Sequence, residues 1–186
     1  MDNRPRIEAL RQFFQSGKTL SVDFRRRQLQ KLKGLVLSRE DQFLKALRTD
    51  LGKPAIEAYA SEVGFVLSDV DHALRRLRRW TQPQRRRSPL SAWPAHSAVR
   101  PEPYGVALIL APWNYPMQLL FSPLVGAMAA GNCICIKPSE YAPATSHLVA
   151  EAVRETFPAD YLWPVEGNGD TAAALLDHEF DTIFFT

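Results

Sequence analysis

Cysteine and histidine are scarce in this sequence. Its two cysteines among 186 residues, Cys133 and Cys135, stand two positions apart in one apolar run. On a strand that spacing puts both on one face, badly placed to join each other in a disulfide. They read as buried core thiols of a cytoplasmic protein. The four histidines, His72, His96, His147 and His178, are scattered, whereas a metal site needs clustered ligands at set spacings. No metal site is expected. No Gly-x-Gly-x-x-Gly occurs either. Gly126 and Gly131 imitate the first spacing of a phosphate loop, but Asn132-Cys133 replaces its Lys-Ser/Thr and a strand follows. Gly131 reads as a helix stop and Gly126 as a close-packing position. The net charge is only +3, which gives no strong pull toward nucleic acid or membrane. Polar and charged residues follow Met1 at once, so no secretory signal peptide is predicted. There is no internal repeat.

Charge is missing altogether between Glu102 and Lys137. That stretch is longer than a membrane span, but Pro112, Asn114, Pro116, Gln118, Pro123, Gly131 and Asn132 interrupt it. Irregular backbone of that kind goes unsatisfied in lipid. The stretch instead divides into two short apolar runs, residues 106–111 and 133–136, around a mostly apolar segment of helical length at 117–130. Such runs, bounded by Gly and Pro, predict parallel strands buried on both faces and joined by a crossover helix. Ligands sit beyond the carboxyl ends of strands in open α/β sheets. Both ends carry polar clusters here: Pro112-Trp113-Asn114-Tyr115-Pro116 and Lys137-Pro138-Ser139-Glu140.

The rest of the chain frames this unit. Residues 7–16 predict a short helix stopped by Gly17, and 23–37 a second with Leu29, Leu32 and Val36 on one stripe. Ser38 and Asp41 predict the capped start of a third, with Phe43, Leu44 and Leu47 inward and an end at Gly52 before Pro54. Residues 56–80 predict one long helix with Tyr59, Val63, Val66, Val70, Ala73, Leu77 and Trp80 on its buried face. The arginines at 75, 76, 78, 79 and 85–87 lack interleaved stacking aromatics, so they suit a solvated helix end better than a nucleic-acid site. Residues 81–96, punctuated by Pro83, Pro89 and Pro94, predict an exposed connector, and 98–100 a short strand leading into the central unit. Further on come a helix at 143–157 with Leu148, Ala152 and Val153 inward, a strand at 162–165 and a turn at Gly167-Asn168-Gly169. A helix at 172–176 and a last buried strand at 181–186 complete the series. The whole predicts a helical segment (1–80), a connector (81–97) and a doubly wound, Rossmann-like α/β domain (98–186).

By residue type alone, the rim clusters leave two readings each. The Asn114 amide can donate to a carbonyl oxygen as it becomes an oxyanion, worth ~3 kcal/mol in a transition state, or it can bond the turn backbone. Pro112 and Trp113 suit a groove or plain packing. Lys137 offers donors and Glu140 acceptors, enough to grip the two hydroxyls of a ribose. The alternative is a surface salt bridge worth under about 1 kcal/mol.

Three ordered motifs, APWNYP (111–116), GAMAAGN (126–132) and IKPSE (136–140), closely resemble the aldehyde dehydrogenase superfamily. The phrasing around them is similar to the class 3, fatty-aldehyde-type branch, from about Gly17 to Thr186. The resemblance implies that Asn114 stabilises a thiohemiacetal oxyanion and that Pro112 and Trp113 line the nicotinamide end of a cofactor groove. It assigns Lys137 and Glu140 to the adenosine ribose of NAD(P). A carboxylate there repels a 2′-phosphate, which favours NAD over NADP. It implies an aldehyde substrate and, at full length, a homodimer; the arginine pattern above already argues against a nucleic-acid partner.

Two departures follow. Ala142 stands where family members often carry Ser or Thr before the helix-opening proline, a missing cap of order 1 kcal/mol that Ala142→Ser is expected to restore. In the family, a strand like DTIFFT leads to a Gly-Ser turn, then to a water-activating Glu and a nucleophilic Cys. None of the three occurs in the 186 residues, and Cys133 and Cys135 fall inside a strand. Two expectations result: the N-terminal, cofactor-binding part of an NAD(P)-dependent enzyme oxidising aldehydes to carboxylic acids, or a truncated remnant that folds or associates without turnover. Under either, the chain alone is predicted inactive.

Overall fold

The computed structural model describes residues 3–186; the polar start at Met1 lies outside them. Helices α1 (Arg4–Gln15), α2 (Val22–Ser38), α3 (Glu40–Leu51), α4 (Ala55–Ala58) and α5 (Gly64–Trp80) come first. A hairpin of β1 (Gln84–Arg86) and β2 (Ser97–Val99) follows. Then β3 (Val106–Leu110), α6 (Gln118–Ala130), β4 (Cys133–Lys137), α7 (Pro143–Thr156), β5 (Leu162–Pro164), α8 (Gly169–Leu176) and β6 (Thr182–Phe185) alternate strictly. The four later strands form one parallel sheet in the order β5-β4-β3-β6. After three strands laid side by side, the chain returns to the far side of β3. Strand order therefore reverses at β3, and the crevice at such a reversal is where open sheets hold ligands.

Every residue of β3 and β4 is buried, as their unbroken apolar runs require. Helix α6 packs on both strands, α2 and α5 pack on α6, and α3 packs on α7. One apolar cluster thus runs from Leu29, Leu32 and Val70 of the helices to Leu108, Ile134 and Ile136 of the sheet. Phe13 and Phe24 meet Tyr161, just before β5, with ring centroids 5.9 and 5.2 Å apart. Gly131 ends α6 with φ +94°, and the guanidinium of buried Arg25 fills the space of any Cβ it could carry. Arg25 in turn donates to Thr19 O at 2.7 Å and Ala129 O at 3.2 Å. Burial holds its pKa below the usual arginine value.

Several sequence expectations fail locally. The long helix is interrupted by a π turn at Tyr59–Val63. The turn's extra residue shifts the helical phase, so Tyr59 leaves the buried stripe and is 43% exposed, while Val63 through Leu77 stay on it. Trp80 is also 43% exposed and leans on His72. Ser38 does not cap α3: it ends α2 with its hydroxyl donating to Leu35 O, and Arg39 takes the N-cap position. Gly126 is exposed, and a methyl placed on its Cα would meet nothing within 4 Å, so it is not a packing position. The connector contains β1, and the strand near 98 pairs with it antiparallel instead of joining the main sheet. The final strand is an edge strand. It pairs with β3 alone, and Ile183, Phe184 and Phe185 are 47%, 48% and 78% exposed. The arginines at 75, 76, 78 and 79 are exposed around the carboxyl end of α5, where cations suit the dipole. No described helix is long and apolar enough to cross a membrane.

Candidate functional site

Leu110 lies beside Lys137 in the parallel register, and the Ala111 N–H donates to Lys137 O at 3.1 Å. The two polar clusters therefore leave neighbouring strands side by side at the carboxyl rim.

In the first cluster Pro112 is half-buried, while Trp113 (53%), Asn114 and Tyr115 are exposed and Pro116 is buried. The Asn114 side chain makes no hydrogen bond with any described residue; only its backbone oxygen is engaged. That oxygen accepts from Lys53 Nζ at 3.1 Å. Lys53 Nζ also sits 4.0 Å from the centre of the Tyr115 ring and donates to Glu62 Oε1 at 2.5 Å. The other oxygen of Glu62 accepts the Met117 N–H at 2.9 Å and the Gln118 N–H at 3.3 Å. Those are orphan amides at the start of α6, which has no side-chain cap of its own. The side chain of Glu62 is fully buried and that of Lys53 only 10% exposed.

In the second cluster Lys137 is buried, and its Nζ donates to Glu140 Oε2 at 2.9 Å and to Pro138 O at 3.2 Å. The hydrogen bond from Lys137, helped by backbone N–H groups including that of Gly169, holds the Glu140 carboxyl below the usual glutamate range. Two of the three ammonium protons are engaged, and Glu140 Oε1 has no side-chain partner among the described residues. A spare ammonium proton and a carboxylate with lone pairs to offer thus lie side by side. Glu140 borders a cleft of about 300 Å³ with Ser139, Ser146, Gly167 and Asn168; Trp113 and Asn114 lie outside its lining. Helix α7 begins next to it without a cap from Ala142, which is fully buried. Asp50, in the last turn of α3, supplies the cap from a distance: its carboxylate accepts the Ala144 and Thr145 N–H groups at 3.0 and 2.7 Å. The deficit at Ala142 is made good by a carboxylate 94 residues away in sequence from the Ala144 amide it accepts.

Cys133 and Cys135 are fully buried inside β4. Cys133 opens the strand, at the end opposite the rim, and burial with nearby Asp160 pushes its thiol up to about 12. Burial pushes Cys135 higher still. Neither can supply a thiolate near neutral pH. Among the described residues no His, Cys, Asp and Glu side chains cluster as a metal site.

Sequence reasoning missed Asp50, Lys53 and Glu62. A signal existed for one of them. Glu62 stands four residues before Val66 and eight before Val70, so it interrupts an otherwise apolar stripe with a charge. Asp50 and Lys53 flank an ordinary helix end and carry no such mark.

The arrangement matches known proteins along its whole length. Residues 3–186 match the aldehyde dehydrogenase family. This chain belongs to that family. It is 43% identical over 174 residues to the 4,4'-diaponeurosporen-aldehyde dehydrogenase of Staphylococcus aureus, which covers 94% of this chain and 38% of that relative. It is 40% identical over 181 residues to aldehyde dehydrogenase family 3 member B1 of Mus musculus, 97% of this chain and 39% of that one. The solved, substrate-bound structure of Staphylococcus aureus AldH superposes with a TM-score of 0.97 at 40% identity, covering all of this chain and 40% of that one. The expected resemblance to family 3 members and the Rossmann-like fold with leading helices are both borne out. The chain spans about 38–39% of the length of these curated relatives.

Proposed function

We propose that this chain supplies the adenosine-ribose grip and the oxyanion donor of an NAD(P)-dependent aldehyde dehydrogenase that oxidises aldehydes to carboxylic acids. The observation that carries this is the Lys137–Glu140 pair, with a spare ammonium proton and a carboxylate, at the same strand rim that carries the exposed Asn114 amide. A ribose diol fits the pair: one hydroxyl accepts from the spare ammonium proton and the other donates to the Glu140 carboxylate. A 2′-phosphate in that place would meet an ionised carboxylate, so NAD is favoured over NADP. Pro112 and Trp113 wall the nicotinamide end. The bound cofactor supplies the hydride acceptor. Asn114 donates to the aldehyde oxygen as charge collects on it, and a free amide on a held backbone needs little reorganisation to do so.

Within 1–186 the reading gives binding without turnover, since both thiols are buried and protonated. Purified chain should form no NADH from NAD and aldehyde, yet bind AMP and NAD weakly and competitively, with NADP weaker. Absence of saturable AMP or NAD binding, or NADP binding tighter than NAD, overturns the reading. So does turnover abolished by Cys133→Ser or Cys135→Ser.

A further inference from the structure

We propose that Lys53 and Glu62 are positioning residues for the Asn114 amide, joined as a buried ionic clamp that fixes the loop between β3 and α6. This rests on the reading of Asn114 as the oxyanion donor. An amide acts on a developing charge only if it stays in place without a bond of its own, because any such bond would have to break first. The Asn114 side chain has no partner among the described residues, so its position must come from the backbone that carries it. The backbone is held at both ends. Lys53 Nζ takes the Asn114 carbonyl, and the Tyr115 ring lies under the same ammonium. Three residues on, Glu62 Oε2 takes the Met117 and Gln118 amides. The ion pair between Lys53 and Glu62 closes the loop into one network, with both charges out of water.

The chemistry leaves little slack. A buried ammonium and carboxylate that neutralise each other cannot be parted without stranding a charge. The two halves come from different places: Lys53 follows α3, and Glu62 lies in the π turn, a wide turn often found at functional sites. Both side chains are buried, with their charged atoms engaged by each other and by the loop backbone. They act through Asn114.

Glu62→Gln tests this with almost no change in shape. Glutamine has one oxygen and two donor protons. If the oxygen stays on the Met117 and Gln118 amides, the NH2 group confronts Lys53 Nζ; if it turns to Lys53, the two amides lose their acceptor. One half of the clamp opens in either case. Amide hydrogen exchange and NMR of the 186-residue chain, comparing wild type, Glu62→Gln, Lys53→Met and Lys53→Arg, provide the readout. Exchange at Met117 and Gln118 should accelerate at least ~10-fold in Glu62→Gln and Lys53→Met, and the Asn114 side-chain amide signals should move or broaden. Amides of the buried strand Cys133–Lys137 should accelerate only as far as each variant's loss of global stability accounts for, and the affinity for AMP should stay as in wild type. Lys53→Arg, which keeps a charge that can reach both Glu62 and the Asn114 carbonyl, should restore much of the wild-type pattern. Should Lys53→Met not fold, Glu62→Gln decides alone. Unchanged exchange at Met117 and Gln118 in both variants, an unmoved Asn114 amide, or acceleration at Met117 and Gln118 no greater than the loss of global stability alone gives, would overturn the proposal. AMP affinity tests the ribose grip separately, so loss of one reading leaves the other measurable.

Discussion

The two rim loops solve the same structural problem in different ways. Each follows a buried strand and opens a helix that lacks a cap of its own, α6 after Met117 and α7 after Ala142. Each borrows a carboxylate from the helical third, Glu62 for α6 and Asp50 for α7. The difference lies in what the loops display. The Lys137 loop pairs its two polar side chains with each other, three residues apart, so its geometry is local. The Asn114 loop displays one amide with no partner among the described residues and is held by contacts that span 55 to 61 positions of sequence. A grip can organise itself, whereas a lone donor needs a frame.

That contrast can be broken by substitution. Lys53→Met should have the largest effect on stability, of order 3 kcal/mol, because it strands Glu62 in the interior. Asp50→Ala should cost less, about 1–2 kcal/mol, the scale of a lost helix cap. Ala142→Ser should then do nothing for the otherwise unchanged chain, contrary to the expectation from sequence, since the Ala144 and Thr145 amides already have an acceptor. In the Asp50→Ala background the same serine should recover part of the loss. Urea midpoints of the four variants check all of this. A gain from Ala142→Ser alone would mean that Asp50 does not cap α7.

A smaller effect separates the loops by pH. The Lys137 hydrogen bond depresses the Glu140 pKa in the folded chain. The folded value lies below the unfolded one, so the pair's contribution is complete above the ordinary glutamate range and is lost as pH falls through the depressed value. AMP affinity should therefore hold down to the usual glutamate range and drop only below it. Exchange at Met117 and Gln118 should not follow that drop, and a common transition for the two loops would erase the distinction between them.

Much of this architecture was legible in the sequence because its signals are local. The unbroken runs at Val106 and Cys133 marked buried parallel strands, Gly131 marked a helix stop, and Lys137 with Glu140 fell within one turn of chain. What failed depends on distant neighbours. Tyr59 kept helical period but lost its place to a π turn. The DTIFFT segment is apolar enough for a buried strand, yet its burial depends on what lies beside it. Asp50 and Glu62 act on amides 55 to 95 residues away, and no spacing in the sequence records that. Ala142 is a poor cap by residue type, yet the helix it precedes does not go uncapped.

The division of labour between the loops is tested most directly by titrating NAD into the 186-residue chain and its Lys137→Ala and Asn114→Ala variants. Lys137→Ala should weaken binding by about 1–2 kcal/mol, the scale of a charge-assisted hydrogen bond, or roughly 5- to 30-fold. Asn114→Ala should leave the affinity unchanged, because the charge its amide serves exists only during the reaction. A loss of binding in Asn114→Ala with none in Lys137→Ala would contradict the assignment of both loops.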